Sequence, residues 1–185
     1  MSRKKVLLTS LIVIVLVVSA CALLFLHIRN SQESAEEPET SEEESAKAID
    51  FTVLDYDLNE VHLFDYSGKP VILNFWASWC PNCVHEFPSF QSLYEEYGDE
   101  IQFMMIDLVD GSEETVEIAR QFLSENSFTF PIFFDTTMEA ATIYGADAIP
   151  LTYLINKDGE VVAYGRGALD YETLKNAINE YLIQP

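Results

Sequence analysis

A Cys-x-x-Cys pair lies between an apolar segment and an amphipathic one, and this boundary constrains the fold more than any other feature of the sequence. Residues 71–76 read VILNFW, a short apolar run typical of a buried strand. Cys80 and Cys83 follow it closely. Apolar residues then recur at steps of four and three, as on one face of a helix that ends before Gly98: Cys83, Phe87, Phe90, Tyr94 and Tyr97. The sequence therefore predicts a dithiol where a buried strand turns into a helix.

This position favours redox chemistry at the first cysteine. Pro81 and Asn82 would occupy the first helical turn, where a proline costs no hydrogen bond. Cys80 would lie beside unpaired N–H groups at the positive end of the helix dipole, and both stabilise a thiolate. A thiolate can attack a disulfide, and Cys83, one turn away, can then resolve the mixed disulfide. The mechanism requires an exposed first thiol and a shielded second one.

Three other interpretations of the pair stay open. A structural disulfide would close so small a loop that it constrains the unfolded chain very little. A zinc site would need two further ligands, and the domain offers only His62 and His85. A copper carrier is the non-enzymatic alternative, although no histidine follows residue 85. We favour the redox interpretation, which needs no metal and no cofactor besides the Cys80–Cys83 dithiol and disulfide.

The remaining apolar patterns predict the other elements of an α/β domain. We expect strands at Ile101–Leu108, Ile132–Phe134, Leu151–Ile155 and Val161–Tyr164, helices from Ser112 to Asn126, at Met138–Tyr144 and around Tyr171–Tyr181, and an added N-terminal hairpin from Phe51–Leu54 and Val61–Phe64. The turn Asn-Lys-Asp-Gly at 156–159 predicts a second hairpin. This order describes a mixed sheet with helices on both faces.

The N-terminal part has the features of a membrane anchor. Residues 6–28 contain no Asp, Glu, Lys or Arg, and as a helix they would reach roughly 35 Å, enough for a hydrocarbon layer of about 30 Å. Three basic residues precede this run and only Arg29 follows it directly. This asymmetry predicts a cytoplasmic N-terminus at residues 1–5 and an extracytoplasmic remainder.

The alternatives to an uncleaved anchor are a cleaved signal peptide and a lipoprotein. A cleaved signal peptide would have a shorter apolar core. Residues 18–21, Val-Ser-Ala-Cys, resemble a lipobox, in which Cys21 would be acylated after cleavage. Because the apolar run continues beyond Cys21, we favour a single-pass transmembrane helix and keep the lipoprotein as the alternative. Both attach the rest of the chain to the outer side of the cell membrane.

Acidic residues dominate the chain beyond this run. Residues 29–48 contain seven Glu, one proline and no aromatic or aliphatic residue larger than alanine, which predicts a disordered acidic linker. Residues 49–185 form the expected domain, with five Lys or Arg against 24 Asp or Glu, a net charge of −19. An excess of acid on this scale argues against a nucleic-acid binder, which needs a basic surface for phosphates.

The motif FWASWCPNC at 75–83, with Glu86 and Pro88 after it, resembles the membrane-anchored, thioredoxin-fold thiol-disulfide oxidoreductases of the TlpA/ResA type. The resemblance extends over the whole domain and includes GKP at 68–70, FP at 130–131 and AIPLT at 148–152. It implies a thioredoxin-like mixed sheet with an added N-terminal hairpin.

The resemblance also implies roles for residues around the dithiol. Pro150 matches the family's cis-proline, which faces the two cysteines, and the backbone of Ile149 would pair with an extended substrate. An ordinary trans loop proline is the alternative. Trp79 would pack over the dithiol and shield it, while Trp76 would belong to the core. With Pro81, these residues form the expected substrate-binding surface.

Glu86 matches an acidic residue that the family places near its cysteines. Its carboxylate would raise the thiol pKa values by like-charge repulsion and relay a proton to or from Cys83. The alternative is a first-turn glutamate that merely suits the helix dipole. Thioredoxin itself has a buried aspartate in the core strand, where this chain has Asn74, which cannot accept a proton. Glu86 is therefore the candidate for that role.

The expected redox direction is reduction. Neither residue between the cysteines is basic, and both Glu86 and the net charge of −19 oppose a stable thiolate. By resemblance, the substrates would be protein disulfides, for example the haem-binding thiols of apocytochrome c, and a membrane thiol carrier would return the electrons. A thiol oxidase or isomerase is the alternative enzyme.

Overall fold

A computed structural model describes residues 46–183. Its strands are β1 (Thr52–Leu54), β2 (Glu60–His62), β3 (Val71–Trp76), β4 (Gln102–Leu108), β5 (Ile132–Asp135), β6 (Leu151–Ile155) and β7 (Val161–Arg166). Its helices are α1 (Pro81–Tyr97), α2 (Val116–Asn126), α3 (Glu139–Tyr144) and α4 (Tyr171–Tyr181), and a short 3-10 helix spans Leu63–Tyr66.

The seven strands form one mixed sheet in the order β2-β1-β5-β4-β3-β6-β7. Strands β3, β4 and β5 are parallel, and the outer strands pair antiparallel to them and to one another. Every residue of β3 is buried, as its uninterrupted apolar run predicts for a central strand. The predicted mixed sheet with helices on both faces is confirmed.

The two faces of the sheet carry separate apolar clusters. Trp76, Phe87 and Phe103 belong to the cluster that α1, α2 and α4 cover. Phe75 and Phe133 belong to the cluster on the opposite face, which α3 and the N-terminal segment cover. Because side chains alternate along a strand, Asn74 faces the same side as Trp76 and α1.

Several predicted boundaries differ from the observed ones, for example β7, which continues to Arg166, and two of the differences have a clear local cause. Helix α2 begins after Thr115 and not at Ser112, because Asp110 Oδ1 accepts the N–H groups of Ser112 and Glu113 in a separate turn. Thr115 Oγ1 then caps the helix by accepting the N–H of Ile118 at 3.2 Å. The second N-terminal strand ends at His62, and residues 63 and 64 belong to the 3-10 helix.

The folded part also begins earlier than residue 49. Lys47 bridges to Glu160, the N–H of Ala48 donates to Gly159 O at 2.9 Å, and Ala46 O accepts the N–H of Val161 at 2.8 Å. The last residues of the predicted linker therefore pair beside the hairpin of β6 and β7. Within residues 46–183 no helix is long and apolar enough to span a bilayer. The predicted cytoplasmic N-terminus (1–5), anchor (6–28), lipobox cysteine Cys21 and linker residues 29–45 lie outside the described residues.

Candidate active site

The two cysteines of the motif lie where β3 turns into α1, as the sequence predicts. Cys80 is the N-cap of α1, and Pro81 is its first residue. The two sulfurs form a disulfide with a Cα–Cα distance of 5.3 Å. The N–H of Cys83 points at Cys80 Sγ at 3.2 Å, so the reacting sulfur also caps the helix. This contact would stabilise a negative charge on Cys80 once the disulfide is reduced.

The two cysteines differ little in exposure. Cys83 is fully buried and Cys80 is 4 % exposed. The shielded second sulfur agrees with the sequence reasoning, but the expected exposed first sulfur is not seen in the disulfide-bonded state, because Cys80 folds back onto the helix that it caps. Pro81 is exposed, and so is Trp79, at 53 %. The predicted shielding of the dithiol by Trp79 stays a prediction.

Glu86 is the only charged residue on the buried face of α1. It lies one turn beyond Cys83, and residues three apart on a helix are neighbours. Its Oε1 accepts a hydrogen bond from Asn74 Nδ2 at 2.8 Å, and its Oε2 accepts the N–H of Leu169 at 3.0 Å. Burial raises the pKa of this carboxyl to about 7, although both hydrogen bonds oppose the rise. Glu86 can therefore take up or release a proton near neutral pH.

Asn74 connects Glu86 to β6, the strand that follows the Ile149–Pro150 turn. The same Nδ2 group donates to Thr152 Oγ1 on β6 at 3.0 Å. The peptide bond between Ile149 and Pro150, just before β6, is cis, as the family resemblance implies. Pro150 is buried, and Ile149 is half-buried. Strand β6 pairs directly with β3, so the proline turn and the start of α1 lie at the same end of the sheet.

Sequence reasoning missed a second group of buried carboxyls at this end of the sheet. Asp107, near the end of β4, and Glu114, before α2, are both fully buried. Glu114 Oε2 accepts the backbone N–H and the hydroxyl of Ser78, each at 2.8 Å. Both oxygens of Asp107 lack a partner within the described residues. A charged residue inside an otherwise apolar strand was the signal that could have identified Asp107.

The environment of these carboxyls shifts both pKa values upward. Burial first, and then the negative charges of Glu114 and Asp110, raise the pKa of Asp107 to about 9. Burial also raises the pKa of Glu114, against the donors at Ser78 and Trp79. The pair therefore carries less than two negative charges at neutral pH, with Asp107 holding a proton. Within residues 46–183, no three His, Cys, Asp or Glu side chains come together as a metal site would require.

Comparison with known proteins identifies the family. Residues 45–164 match the model of the AhpC/TSA family. Thiol-disulfide oxidoreductase ResA of Oceanobacillus iheyensis is 38 % identical over 125 residues, which cover 67 % of this chain and 63 % of that protein. Sporulation thiol-disulfide oxidoreductase A of Bacillus subtilis is 36 % identical, over 61 % of this chain and 68 % of that protein.

A solved structure agrees with these sequence matches. The crystal structure of StoA from Bacillus subtilis matches with a TM-score of 0.62 and 30 % identity, over 71 % of this chain and 97 % of that one. The resemblance drawn from the motif around Cys80 and Cys83 is thereby confirmed. The chain belongs to the AhpC/TSA family, among its thioredoxin-fold thiol-disulfide oxidoreductases.

Proposed function

We propose that this protein is an extracytoplasmic reductase of protein disulfides. One observation carries the proposal: the Cys80–Cys83 disulfide caps α1, and a buried carboxyl, Glu86, with a pKa of about 7 lies one turn beyond Cys83. An attacking sulfur, a resolving sulfur and a proton carrier thus lie within the first two turns of one helix.

In the reaction, the reduced Cys80 thiolate attacks one sulfur of a substrate disulfide. A mixed disulfide forms, and the other substrate sulfur leaves as a thiolate that takes a proton from water. The Glu86 carboxylate then accepts the proton of the Cys83 thiol. The Cys83 thiolate attacks Cys80 Sγ, re-forms the Cys80–Cys83 bond and releases the second substrate sulfur. Two electrons have passed to the substrate, and a donor dithiol must return them.

The charges around the dithiol favour the reducing direction. A dithiol becomes a strong oxidant when its thiolate is strongly stabilised. Here the N–H of Cys83 stabilises the Cys80 thiolate, but the nearest buried ionisable group on α1 is the acidic Glu86. The domain charge of −19 adds a weaker effect of the same sign, because salt screens distant charges. The oxidase or isomerase alternative would need a more stable thiolate.

The substrates and the location rest on the sequence. We propose that the domain is held outside the cytoplasm by residues 6–28, or by an acylated Cys21, and acts on protein thiols such as those of apocytochrome c. A membrane thiol carrier would supply the electrons. Ile149, Pro150, Trp79 and Pro81 would contact the substrate, since a backbone edge beside the disulfide suits an extended peptide.

Trapping tests the proposal directly. In the full-length protein, Cys83→Ser should accumulate a mixed disulfide between Cys80 and its substrate, which mass spectrometry would identify, whereas Cys80→Ser should accumulate none. The dithiol potential, measured against glutathione or dithiothreitol buffers, distinguishes the enzyme classes. A potential as high as those of strong oxidants would contradict the reductase. Tight stoichiometric Cu(I) binding by the reduced protein, without insulin reduction, would favour the copper carrier.

A further inference from the structure

The segment between β3 and α1 is held by a residue from a distant part of the chain. Glu114 is fully buried, although its neighbours Ser112 and Glu113 are exposed. Its Oε2 accepts two hydrogen bonds from Ser78, one from the backbone N–H and one from the hydroxyl, each at 2.8 Å. The N–H of Trp79 also interacts with this carboxyl. A single side chain thus holds the two residues that precede Cys80.

The held segment leads directly to the reacting sulfur. The N–H of Cys80 donates to Ala77 O at 3.1 Å, so residues 77–80 form one closed turn. Ser78 lies inside this turn, and Cys80 ends it as the N-cap of α1. Any displacement of Ser78 is therefore transmitted to the position of Cys80 Sγ and of the exposed Trp79 ring.

The loop around Glu114 is built to present this side chain. Asp110 Oδ1 accepts the N–H groups of residues 112, 113 and 114, the last at 3.0 Å, and Gly111 N–H donates to Glu114 O at 3.0 Å. Gly111 has a φ of +76°, which few other residues adopt without strain. The loop is therefore closed on itself before the carboxyl of Glu114 reaches Ser78.

The contacts of this carboxyl also bear on its charge. The donors at Ser78 and Trp79 favour the ionised carboxylate, whereas burial raises the pKa of Glu114. The other ionisable group that acts on Asp107 and Glu114 is Asp110, whose carboxylate accepts the N–H groups of Ser112 and Glu113. Glu114 Oε1 has no hydrogen-bond donor within the described residues, so this buried carboxyl is only partly satisfied.

From this geometry we propose that Glu114 is a positioning residue for the dithiol reaction, which fixes the Ser78–Cys80 turn and places a negative charge that opposes the Cys80 thiolate. The inference rests on the proposed redox role of Cys80. It assigns to a residue outside the cysteine motif part of the reducing character that Glu86 and the overall charge also favour.

The test separates the charge from the hydrogen bonds. Glu114→Gln keeps an oxygen that can accept from Ser78 but removes the charge, and Glu114→Asp keeps the charge but shortens the side chain. Glu113→Gln, at the exposed neighbour, is the matched control. In each full-length reduced protein, the alkylation rate of Cys80 is followed by peptide mass spectrometry between pH 5 and 10. This readout needs no substrate, so an absence of disulfide reductase activity would contradict the proposed function alone.

We expect Glu114→Gln to shift the alkylation profile to lower pH. Removing a like charge near a thiol lowers the pKa of the thiol by on the order of one unit, so the rate at pH 7 should rise about tenfold. Glu114→Asp should keep the wild-type profile, while amide exchange at residues 78–80 becomes faster. The proposal is overturned if the Glu114→Gln profile coincides with wild type, or if Glu113→Gln moves it equally.

If Glu114→Gln does not fold, a second variant tests whether the contact between Glu114 and Ser78 positions the turn. Ser78→Ala removes the hydroxyl donor to Glu114 and leaves both backbone donors and every charge in place. Loss of one hydrogen bond of ordinary strength should speed amide exchange at residues 78–80 about fivefold. Exchange and Cys80 alkylation both equal to wild type would show that the contact positions nothing.

Discussion

Replacing Asp107 by asparagine should stabilise the protein at neutral pH. The carboxyl is fully buried, its two oxygens have no partner within the described residues, and its pKa is raised to about 9 from an ordinary value of 3.8. At pH 7 the unfolded chain carries an ionised Asp107 and the folded chain a protonated one, so folding must take up a proton. The shift from 3.8 to pH 7 corresponds to a cost of about 4 kcal/mol, which asparagine avoids.

The sign of the pH dependence follows from the raised pKa. Below about pH 4 Asp107 is protonated in both states and costs nothing, and as pH rises towards 9 the folded state loses stability relative to the unfolded one. Between pH 5 and pH 7 the loss should amount to about 3 kcal/mol. Asp107→Asn should lack this loss, because its side chain does not titrate. Because asparagine also buries an unpaired amide, which costs about 1 to 3 kcal/mol, the net gain at pH 7 should be about 1 to 3 kcal/mol.

Urea unfolding at pH 5, 6 and 7, followed by tryptophan fluorescence, measures this effect. The free energies of unfolding of wild type and Asp107→Asn should diverge as pH rises, while Glu113→Gln, an exposed acid from the following loop, should run parallel to wild type. Wild-type and Asp107→Asn values that change equally between pH 5 and 7 would refute the assignment of a proton to Asp107. The pKa of the Glu86 carboxyl is also raised, but its effect on the free energy of unfolding is the same in both proteins and cancels in the difference.

Three further changes probe the site and its supports. Glu86→Gln should slow the resolution of a preformed mixed disulfide about a hundredfold. It should also abolish the increase of that rate as the pH rises through about 7. Stopped-flow measurements would show both effects, and an unchanged rate would exclude Glu86 as the proton acceptor. Thr152→Val should cost about 1 to 3 kcal/mol in urea unfolding, because it leaves one buried Asn74 N–H without its acceptor, and wild-type stability would contradict that bond. Thr115→Ala should cost about 1 kcal/mol through loss of the α2 cap, with Thr115→Ser as the conservative control that retains the wild-type unfolding midpoint.

The central part of the fold could be predicted from local sequence because its signals are local. The apolar run Val71–Trp76 and the face of α1 that follows it need only burial and period to be recognised. The dithiol position follows from the same two segments, since Cys80 must fall between them. Glu86 was reached only through the family resemblance, because a glutamate on a helix is ordinary by itself. It lies in the second turn of α1, so the alternative of a first-turn glutamate is wrong.

Pairs of residues far apart in sequence were beyond such reasoning. Glu114 and Ser78 are 36 residues apart, and no local pattern indicates that one accepts from the other. The start of α2 was placed at Ser112 because a serine before a helical pattern is a common cap. Asp110 Oδ1 instead accepts the N–H groups of residues 112–114 in a separate turn, so Thr115 and not Ser112 is the N-cap of α2. Pairing of residues 46–48 with the β6–β7 hairpin is likewise a long-range contact.

The sulfur of Cys80 has two tasks, because it is both the site of attack and the cap that receives the Cys83 N–H. Every turnover moves the bonding partner of this atom from Cys83 to a client and back. The hydrogen bond from the Cys83 N–H to Cys80 Sγ, at the N-terminus of α1, should therefore change with each chemical state of the cycle. The NMR chemical shift of the Cys83 backbone amide should consequently differ between the oxidised protein, the reduced protein and the mixed disulfide with substrate.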